Sequence, residues 1–151
     1  MAKEFDYSFG LTKTIIPSKQ DEREGEYVGA FKKLVEGRIV PEILTLPQFP
    51  SKKEVVLSVM QFFLTEKEYT SRDIDNMSKT ILDCLKGKFY LDDSQVRTLL
   101  ISKKISPKVK SNFVFVGVRE LKGETDTGIV QDHLLEQAIT LYQISAKAGS
   151  K

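Results

Sequence analysis

The chain has 151 residues, of which 40% are hydrophobic and 29% charged, an ordinary composition for one globular domain. No apolar run approaches the ~20 residues that span a bilayer, the start of the chain lacks the apolar core of a signal peptide, and a single cysteine excludes an internal disulfide framework. The 23 basic and 21 acidic residues give a formal charge of +2, so overall charge indicates nothing about nucleic acid. We therefore expect one domain over residues 1–151, in a reducing cytoplasm.

Strand and helix patterns alternate along the first half of the chain. Apolar residues at every second position predict a strand, and apolar residues at helical spacing predict a helix. Glycine is the residue expected just after a helix, and a cluster of prolines is typical of a loop. The predicted elements are a strand over 5–11, a helix over 21–36 ended by Gly37, a loop over 38–52, a strand over 54–64 and a polar connection over 65–72.

The second half continues the same mixture. The predicted elements are a helix from Asp75 or Asn76 to about Lys86 ended by Gly87, strands over 95–105 and 112–121, a loop over 123–128 and a helix over 131–147. Strands mixed with three helices indicate the α+β (mixed α/β) class, with helices packed on a small mixed sheet.

The last predicted helix is amphipathic. Ile144 falls outside its apolar face. Seven residues form that face: Leu134, Leu135, Ala138, Ile139, Leu141, Tyr142 and Ala146. We expect this face to pack on the sheet, and we weigh a partner-binding role as the alternative.

Four aspartates lie in two tight clusters, one at the start of the helix predicted up to Lys86 and one after its end. Asp73 and Asp75 are two residues apart, and Asp92 and Asp93 are adjacent. In an extended segment, side chains two apart share a face, so Asp73 and Asp75 are expected to bind one ion together. Adjacent residues point to opposite sides, so we expect Asp93 to be a ligand and Asp92 to support it. Oxygen ligands of this kind suit Mg²⁺, with Mn²⁺ as an alternative.

A lysine follows the first cluster at helical spacing. Lys79 comes four residues after Asp75, so its ammonium can lean back toward the carboxylates. Asp83 comes four residues after Lys79, where it would orient the lysine or form a surface ion pair of little consequence. Carboxylates that hold a divalent ion beside an ammonium are a recurring arrangement for phosphodiester hydrolysis.

Each of these residues also has a simpler interpretation. An aspartate is common at helix starts and in turns, and a lysine on a helix is usually solvated. Other binding motifs fail on spacing: a calcium loop from Asp73 would need Gly and Glu where Ser78 and Cys84 stand. No phosphate-binding glycine motif occurs, and one histidine excludes most zinc sites. The conjunction of aspartates and lysine in this order favours the metal site.

Four lysines form a separate basic stretch. Lys103, Lys104, Lys108 and Lys110 fall within eight positions. Solvated surface lysines and a phosphate-contacting surface explain this stretch equally well.

The segment from Arg72 to Val96 resembles the RusA family of Holliday junction resolvases. The resemblance rests on the runs Asp73-Ile74-Asp75-Asn76, Lys79, Leu82-Asp83-Cys84-Leu85 and Asp92-Asp93-Ser94-Gln95-Val96. It covers about 25 residues, and the helix from residue 131 onward looks like an addition to a shorter family chain.

The resemblance implies a homodimeric, Mg²⁺-dependent endonuclease that makes paired nicks in a four-way DNA junction during recombination and repair. Asp73, Asp75 and Asp93 would be the metal ligands, and Lys79 would be the fourth catalytic residue. Asp92 would support the site. Asp83 is expected from its helical spacing to support it as well, and Arg72 with the four lysines would contact DNA if they lie beside the site on the dimer. The resemblance also implies a cytoplasmic, bacterial or phage-encoded protein that needs no nucleotide cofactor and no membrane.

One departure from the family pattern keeps two alternatives open. The family often has a basic run before the first aspartate, whereas residues 65–72 hold two basic and two acidic side chains. A nuclease for flaps or forks is therefore one alternative. A catalytically inactive DNA-binding or assembly protein with the same fold is the other, and it is suggested by the added C-terminal helix, which could serve a partner.

Overall fold

The computed structural model describes residues 4–18, 24–129 and 132–149. Within these ranges a four-stranded mixed sheet is accompanied by four α-helices, as the α+β prediction requires. The elements are β1 Tyr7–Thr12, α1 Glu24–Ile43, β2 Val55–Phe62, α2 Glu66–Thr70, α3 Ile74–Leu85, β3 Val96–Lys104, β4 Phe113–Glu120 and α4 Asp132–Gly149, with a short 3₁₀ turn at Asp93–Gln95.

The strand order is β1-β4-β2-β3. β4 pairs antiparallel with both β1 and β2, whereas β2 and β3 are parallel. A parallel pair needs a crossover, and α2 and α3 provide it between β2 and β3. Because β2 and β3 run in the same direction, both start at one end of the sheet and finish at the other.

One face of the sheet is packed against α1 and α3. Alternate residues of the strands point to this face and are fully or almost fully buried, as expected for period-two side chains. They include Tyr7, Phe9, Leu11, Val55, Leu57, Val59, Val114, Val116 and Val118. The predicted stripe of α3 is buried against them, since Met77, Ile81, Cys84 and Leu85 are at most 1% exposed.

Helix α1 runs further than the sequence predicts. Gly37 does not end it, and the first part of the predicted 38–52 loop is helical up to Ile43. Ile39 continues the spacing of Phe31 and Val35 and is 0% exposed, so burial favours continuing the helix. Pro41 removes one hydrogen bond of the helix, whose acceptor would be the carbonyl of Gly37, an exposed residue. The predicted start at residue 21 lies outside the described residues.

The polar connection after β2 contains a helix that the prediction missed. Thr65 Oγ1 accepts a hydrogen bond from the Glu68 backbone nitrogen at 3.1 Å, which caps α2. Thr65 and Glu68 have the spacing of a capping box, so the signal was in the sequence. Helix α3 begins two residues earlier than predicted, with Asp73 as its N-cap, and Gly87 follows its end with φ +85°.

Helix α4 is found where predicted, but its packing is not as predicted. Residues 133–147 are all exposed, so the apolar face does not lie on the sheet of its own chain. Within the described residues no helix is long and apolar enough to cross a membrane.

Candidate active site

The first acidic cluster lies at the start of α3. Asp73 is the N-cap in extended conformation, and Asp75 is in the first helical turn, so the two do not share one extended segment as predicted. Both are exposed, and the Asp73 side chain makes no capping hydrogen bond. The positive end of the helix stabilises carboxylates here. Both carboxylates are therefore available to a ligand.

Lys79 and Asp83 follow on the same side of α3. Each is exposed and lies one helical turn after the previous member of the series Asp75, Lys79, Asp83. Lys79 forms no ion pair with a described residue. Its ammonium is therefore free to approach a phosphate that binds at the start of the helix.

The chain that leads into this cluster is held in place by a lysine of β3. Lys103 Nζ donates to the carbonyl oxygens of Tyr69 and Arg72, both at 2.8 Å, and lies 4.3 Å from the centre of the Tyr69 ring. These contacts fix the backbone immediately before Asp73. Lys103 was predicted to contact DNA, but its ammonium is already bound by these groups of the protein. Lys104, Lys108 and Lys110 are exposed.

The second acidic cluster is built by a tight turn. Asp92 Oδ2 accepts the Ser94 backbone N–H at 3.1 Å and the Ser94 hydroxyl, and these hydrogen bonds hold the pKa of Asp92 below its ordinary value. Gln95 Oε1 accepts the backbone N–H groups of Leu91 and Asp92, and Gln95 Nε2 donates to two carbonyls before β2. The Asp92 carboxylate therefore stabilises the turn through its hydrogen bonds.

Asp93, in contrast, is exposed and its carboxylate accepts no hydrogen bond from a described residue. It starts the 3₁₀ turn that the Asp92 cap stabilises. The two adjacent aspartates therefore differ, because one holds the turn and the other is presented to solvent.

The two clusters lie at opposite ends of the molecule. Lys86 Nζ is 3.8 Å from Asp92 Oδ1, which puts the second cluster at the end of α3. Asp75 and Lys86 are 11 residues apart in sequence, about 16 Å along a helix. Strand β3 gives the same separation. It starts at Val96, three residues after Asp93, and Lys103, which contacts the Arg72 carbonyl, lies about 23 Å further along the strand.

Three carboxylates therefore do not meet within one chain. Among the described residues, no group of three acidic, histidine or cysteine side chains is close enough to hold a metal ion. The sequence predicted Asp73, Asp75 and Asp93 in one site, whereas in the structure Asp93 lies at the opposite end of α3 from Asp73 and Asp75.

A cavity beside Arg72 was not anticipated from the sequence. It has a volume of about 470 Å³ and is lined by Lys13, Tyr27, Leu34 and Arg72, among others. Arg72 Nε is buried and has no hydrogen-bond partner among the described residues. A cavity that combines two cations with an aromatic ring, directly before Asp73, suits a nucleic-acid strand. The residues of this cavity are scattered in sequence, so no local motif marked them.

The comparison with protein families gives a match over more than half of the chain. The family described as Endodeoxyribonuclease RusA matches residues 26–115 of the chain. The chain belongs to the RusA family. The matched region includes both acidic clusters, Lys79, β2, β3 and the first three residues of β4, whereas β1, the rest of β4 and α4 lie outside it. No curated protein matches the chain.

Membership of the RusA family makes this a chain of endodeoxyribonuclease type. The resemblance inferred from residues 72–96 is therefore confirmed over a longer stretch of sequence.

Proposed function

We propose that this RusA-family protein is a Mg²⁺-dependent nuclease that resolves four-way DNA junctions by paired nicks, in recombination and repair. The supporting observation is that Asp73, Asp75 and Asp93 present carboxylates that the fold does not use. Exposed acids at a helix start and in a capped turn have no role in packing, which suits a role in binding.

The chemistry of the donors fits a hard divalent ion, since all three are carboxylates. The distance between the clusters means that the full set requires two copies of the chain. We propose a homodimer in which Asp73 and Asp75 of one copy stand beside Asp93 of the other. Mg²⁺, or Mn²⁺ in its place, would supply charge neutralisation at the phosphate and an activated water.

The other residues act around the scissile phosphate. Lys79 would place its ammonium where negative charge develops on the phosphate oxygens. Asp92 would hold Asp93 in position through the turn, and Asp83 would orient Lys79 from the next helical turn. Arg72, together with exposed Lys104, Lys108 and Lys110, would contact the DNA backbone. We propose that Lys103 contributes indirectly, by holding the backbone before Asp73.

A two-fold dimer carries two such sites, and a four-way junction offers two equivalent strands. Paired nicks follow from this match of symmetry. We place the protein in the cytoplasm of a bacterium, encoded by the host or by a phage.

A nuclease for flaps or forks is the second candidate. Around α2, Glu66 and Glu68 offset Lys67 and Arg72, so the surface before the site is not strongly basic. A weakly basic surface favours a substrate with fewer phosphates in contact than a full junction.

The test is cleavage of a labelled mobile four-way junction, a flap and a matched duplex, each with Mg²⁺, with Mn²⁺ and with EDTA. Symmetric metal-dependent nicks on the junction support the resolvase, and faster cleavage of the flap supports the second candidate. Asp75→Asn should keep junction binding and lose cleavage. If Asp75→Asn cleaves at near the wild-type rate, the proposed role of this carboxylate is wrong. Binding without cleavage in any metal would indicate an inactive DNA-binding protein.

A further inference from the structure

Helix α4 carries an apolar face that the described part of its own chain leaves uncovered. Five large side chains on one side of it are between 42% and 70% exposed: Leu134, Leu135, Ile139, Leu141 and Tyr142. With Ala138 and Ala146 they cover an arc of about 160° at 3.6 residues per turn. Monomeric proteins rarely leave such a contiguous face in water, so we expect another surface to cover it.

A second apolar surface lies on the face of the sheet opposite α1 and α3, and its own chain covers it only in part, with the Phe5 ring 6.1 Å from that of Phe115. We call it the acceptor patch, and it consists of Met60, Phe62, Phe113 and Phe115, all partly exposed. These residues are direct neighbours across β2 and β4, since Met60 pairs with Phe115 and Phe62 with Phe113. The rings of Phe62 and Phe113 are 6.2 Å apart. The acceptor patch is therefore one continuous area.

The segment that leads into α4 and the acceptor patch lie at opposite ends of the sheet. The segment before α4 is anchored at the end that carries Asp93, where Gly128 packs against Thr98 and its carbonyl accepts from Arg119 Nη2 at 3.1 Å. The acceptor patch lies at the other end, where Asn112 next to Phe113 donates to Glu68 of α2 at 3.0 Å. Helix α2 leads directly into Asp73.

We propose that two copies of this chain exchange α4, so that the apolar face of each α4 packs on the acceptor patch of the other copy. A broad apolar face suits packing on a sheet better than a two-helix coiled coil, which uses a narrow seam. The dimensions agree, because an 18-residue helix is about 27 Å long and an eight-residue strand about 26 Å.

The exchange would also assemble the site. Because α4 starts at the Asp93 end and the acceptor patch lies at the Asp73 end, each contact joins the Asp93 end of one copy to the Asp73 end of the other. That is the pairing which the split carboxylate set requires, and this part of the argument rests on the proposed function. The exchange itself is a statement about assembly and is tested without any cleavage.

Sedimentation equilibrium of the full chain tests the exchange. Tyr142→Glu places a charge on the apolar face, and Ile144→Glu is its matched control, because the two side chains are 70% and 61% exposed but lie about 160° apart around α4. Met60→Glu places a charge in the acceptor patch. We expect Tyr142→Glu and Met60→Glu each to raise the dimer dissociation constant about 30-fold or more, and Ile144→Glu to change it less than about threefold.

Three outcomes would overturn the exchange. A wild-type chain that stays monomeric up to its solubility limit has no second copy on α4. Equal effects of Tyr142→Glu and Ile144→Glu would mean that the apolar face is not the contact. A dimer that resists Met60→Glu but not Tyr142→Glu would mean that α4 pairs with α4. Circular dichroism of each variant checks that it is folded, and a dimer that forms as expected but never cleaves DNA counts against the proposed function alone.

Discussion

At the scale of single residues, the use of each polar atom separates structural from functional side chains. Asp92 and Asp93 are adjacent and chemically identical, yet Asp92 accepts two hydrogen bonds from Ser94 and Asp93 accepts none from a described residue. A carboxylate that is already satisfied has less to offer a ligand. The same criterion distinguishes Lys103, which is bound to two backbone carbonyls, from exposed Lys79.

For Lys79, we expect Lys79→Ala to lower the single-turnover cleavage rate about 100-fold, because an ammonium that stabilises developing charge acts mainly in the transition state. Binding of the junction should change less than about threefold, since the variant removes one of many phosphate contacts. Gel-shift titration and single-turnover cleavage measure the two quantities. Lys33→Ala, an exposed lysine on α1, is the control. A parallel loss of binding and cleavage would assign Lys79 to DNA binding only.

Asp126 gives a prediction about pH. Arg119 donates to it at 2.6 Å and 3.0 Å, and this pair, with the backbone N–H groups of Lys122 and Gly128, holds the pKa of Asp126 well below its ordinary value. The lowered pKa stabilises the fold above the unfolded pKa of about 3.9, and the contribution is lost as the pH falls toward the lower folded value.

We therefore expect Asp126→Asn to lower the free energy of unfolding by about 1–3 kcal/mol at pH 7, with a smaller difference below pH ~4. Urea unfolding at several pH values measures it, and exposed Glu124→Gln is the control. A difference that stays constant across this range would show that the charge of Asp126 is not what stabilises the loop.

At the scale of elements, one buried polar side chain of β2 connects the sheet to the segment that lines the Arg72 cavity. Gln61 is 0% exposed; its Oε1 accepts from the Ile16 backbone nitrogen at 2.8 Å, and its Nε2 donates to the Thr14 carbonyl at 3.0 Å. From the other side, Thr80 of α3 donates to the Pro17 carbonyl at 2.8 Å. Residues 14–17 are thus held between β2 and α3.

Gln61→Leu should lower the free energy of unfolding by about 1–3 kcal/mol, because it leaves the Ile16 N–H and the Thr14 carbonyl buried without partners. Chemical denaturation measures the change, and Met60→Leu, next to it but on the other face of the sheet, is the control. An unchanged stability would mean that water replaces the amide at both backbone groups.

The predicted elements succeeded where side-chain period decides structure and failed where burial outweighs a local signal. The four strands and the amphipathic helices α3 and α4 follow from apolar spacing, and their bounds agree to within about two residues. Gly37 and Pro41 predicted a helix end, but the burial of Ile39 in the core kept the helix intact. A local signal reflects the preference of one residue, whereas burial in the core stabilises all the apolar residues on one face of a helix together.

At the scale of the whole molecule, the separation of the acidic clusters makes the proposed site a property of two chains. The 17 residues between Asp75 and Asp93 are few enough to suggest that the two carboxylates are close in space. Most of these residues form the single helix α3, and the length of this helix separates the two clusters.

Mixing two inactive variants tests this arrangement. Asp75→Asn and Asp93→Asn should each be inactive alone, yet a heterodimer of the two contains one site with all its carboxylates if the site is shared between copies. We expect the mixture to regain nicking of single strands in the junction, without paired cuts. A mixture of Asp75→Asn with Asp73→Asn provides the control, since both changes affect the same cluster and no complete site can form.

A mixture that stays as inactive as its components would instead favour a site within one chain, brought together only by a large rearrangement on DNA. Native mass spectrometry verifies that heterodimers are present, so that an inactive mixture is not mistaken for absence of exchange.

By itself, the sequence determined the elements, the family and the identity of the acidic and basic residues, because period, capping chemistry and motif order are local properties of the chain. It did not determine the length of α1, the exposure of α4 or the distance between Asp75 and Asp93. Those depend on which surfaces meet and in which direction α3 and β3 run, and only the tertiary structure decides that. The cavity beside Arg72 belongs to the same group, since it is formed by segments that are far apart in sequence.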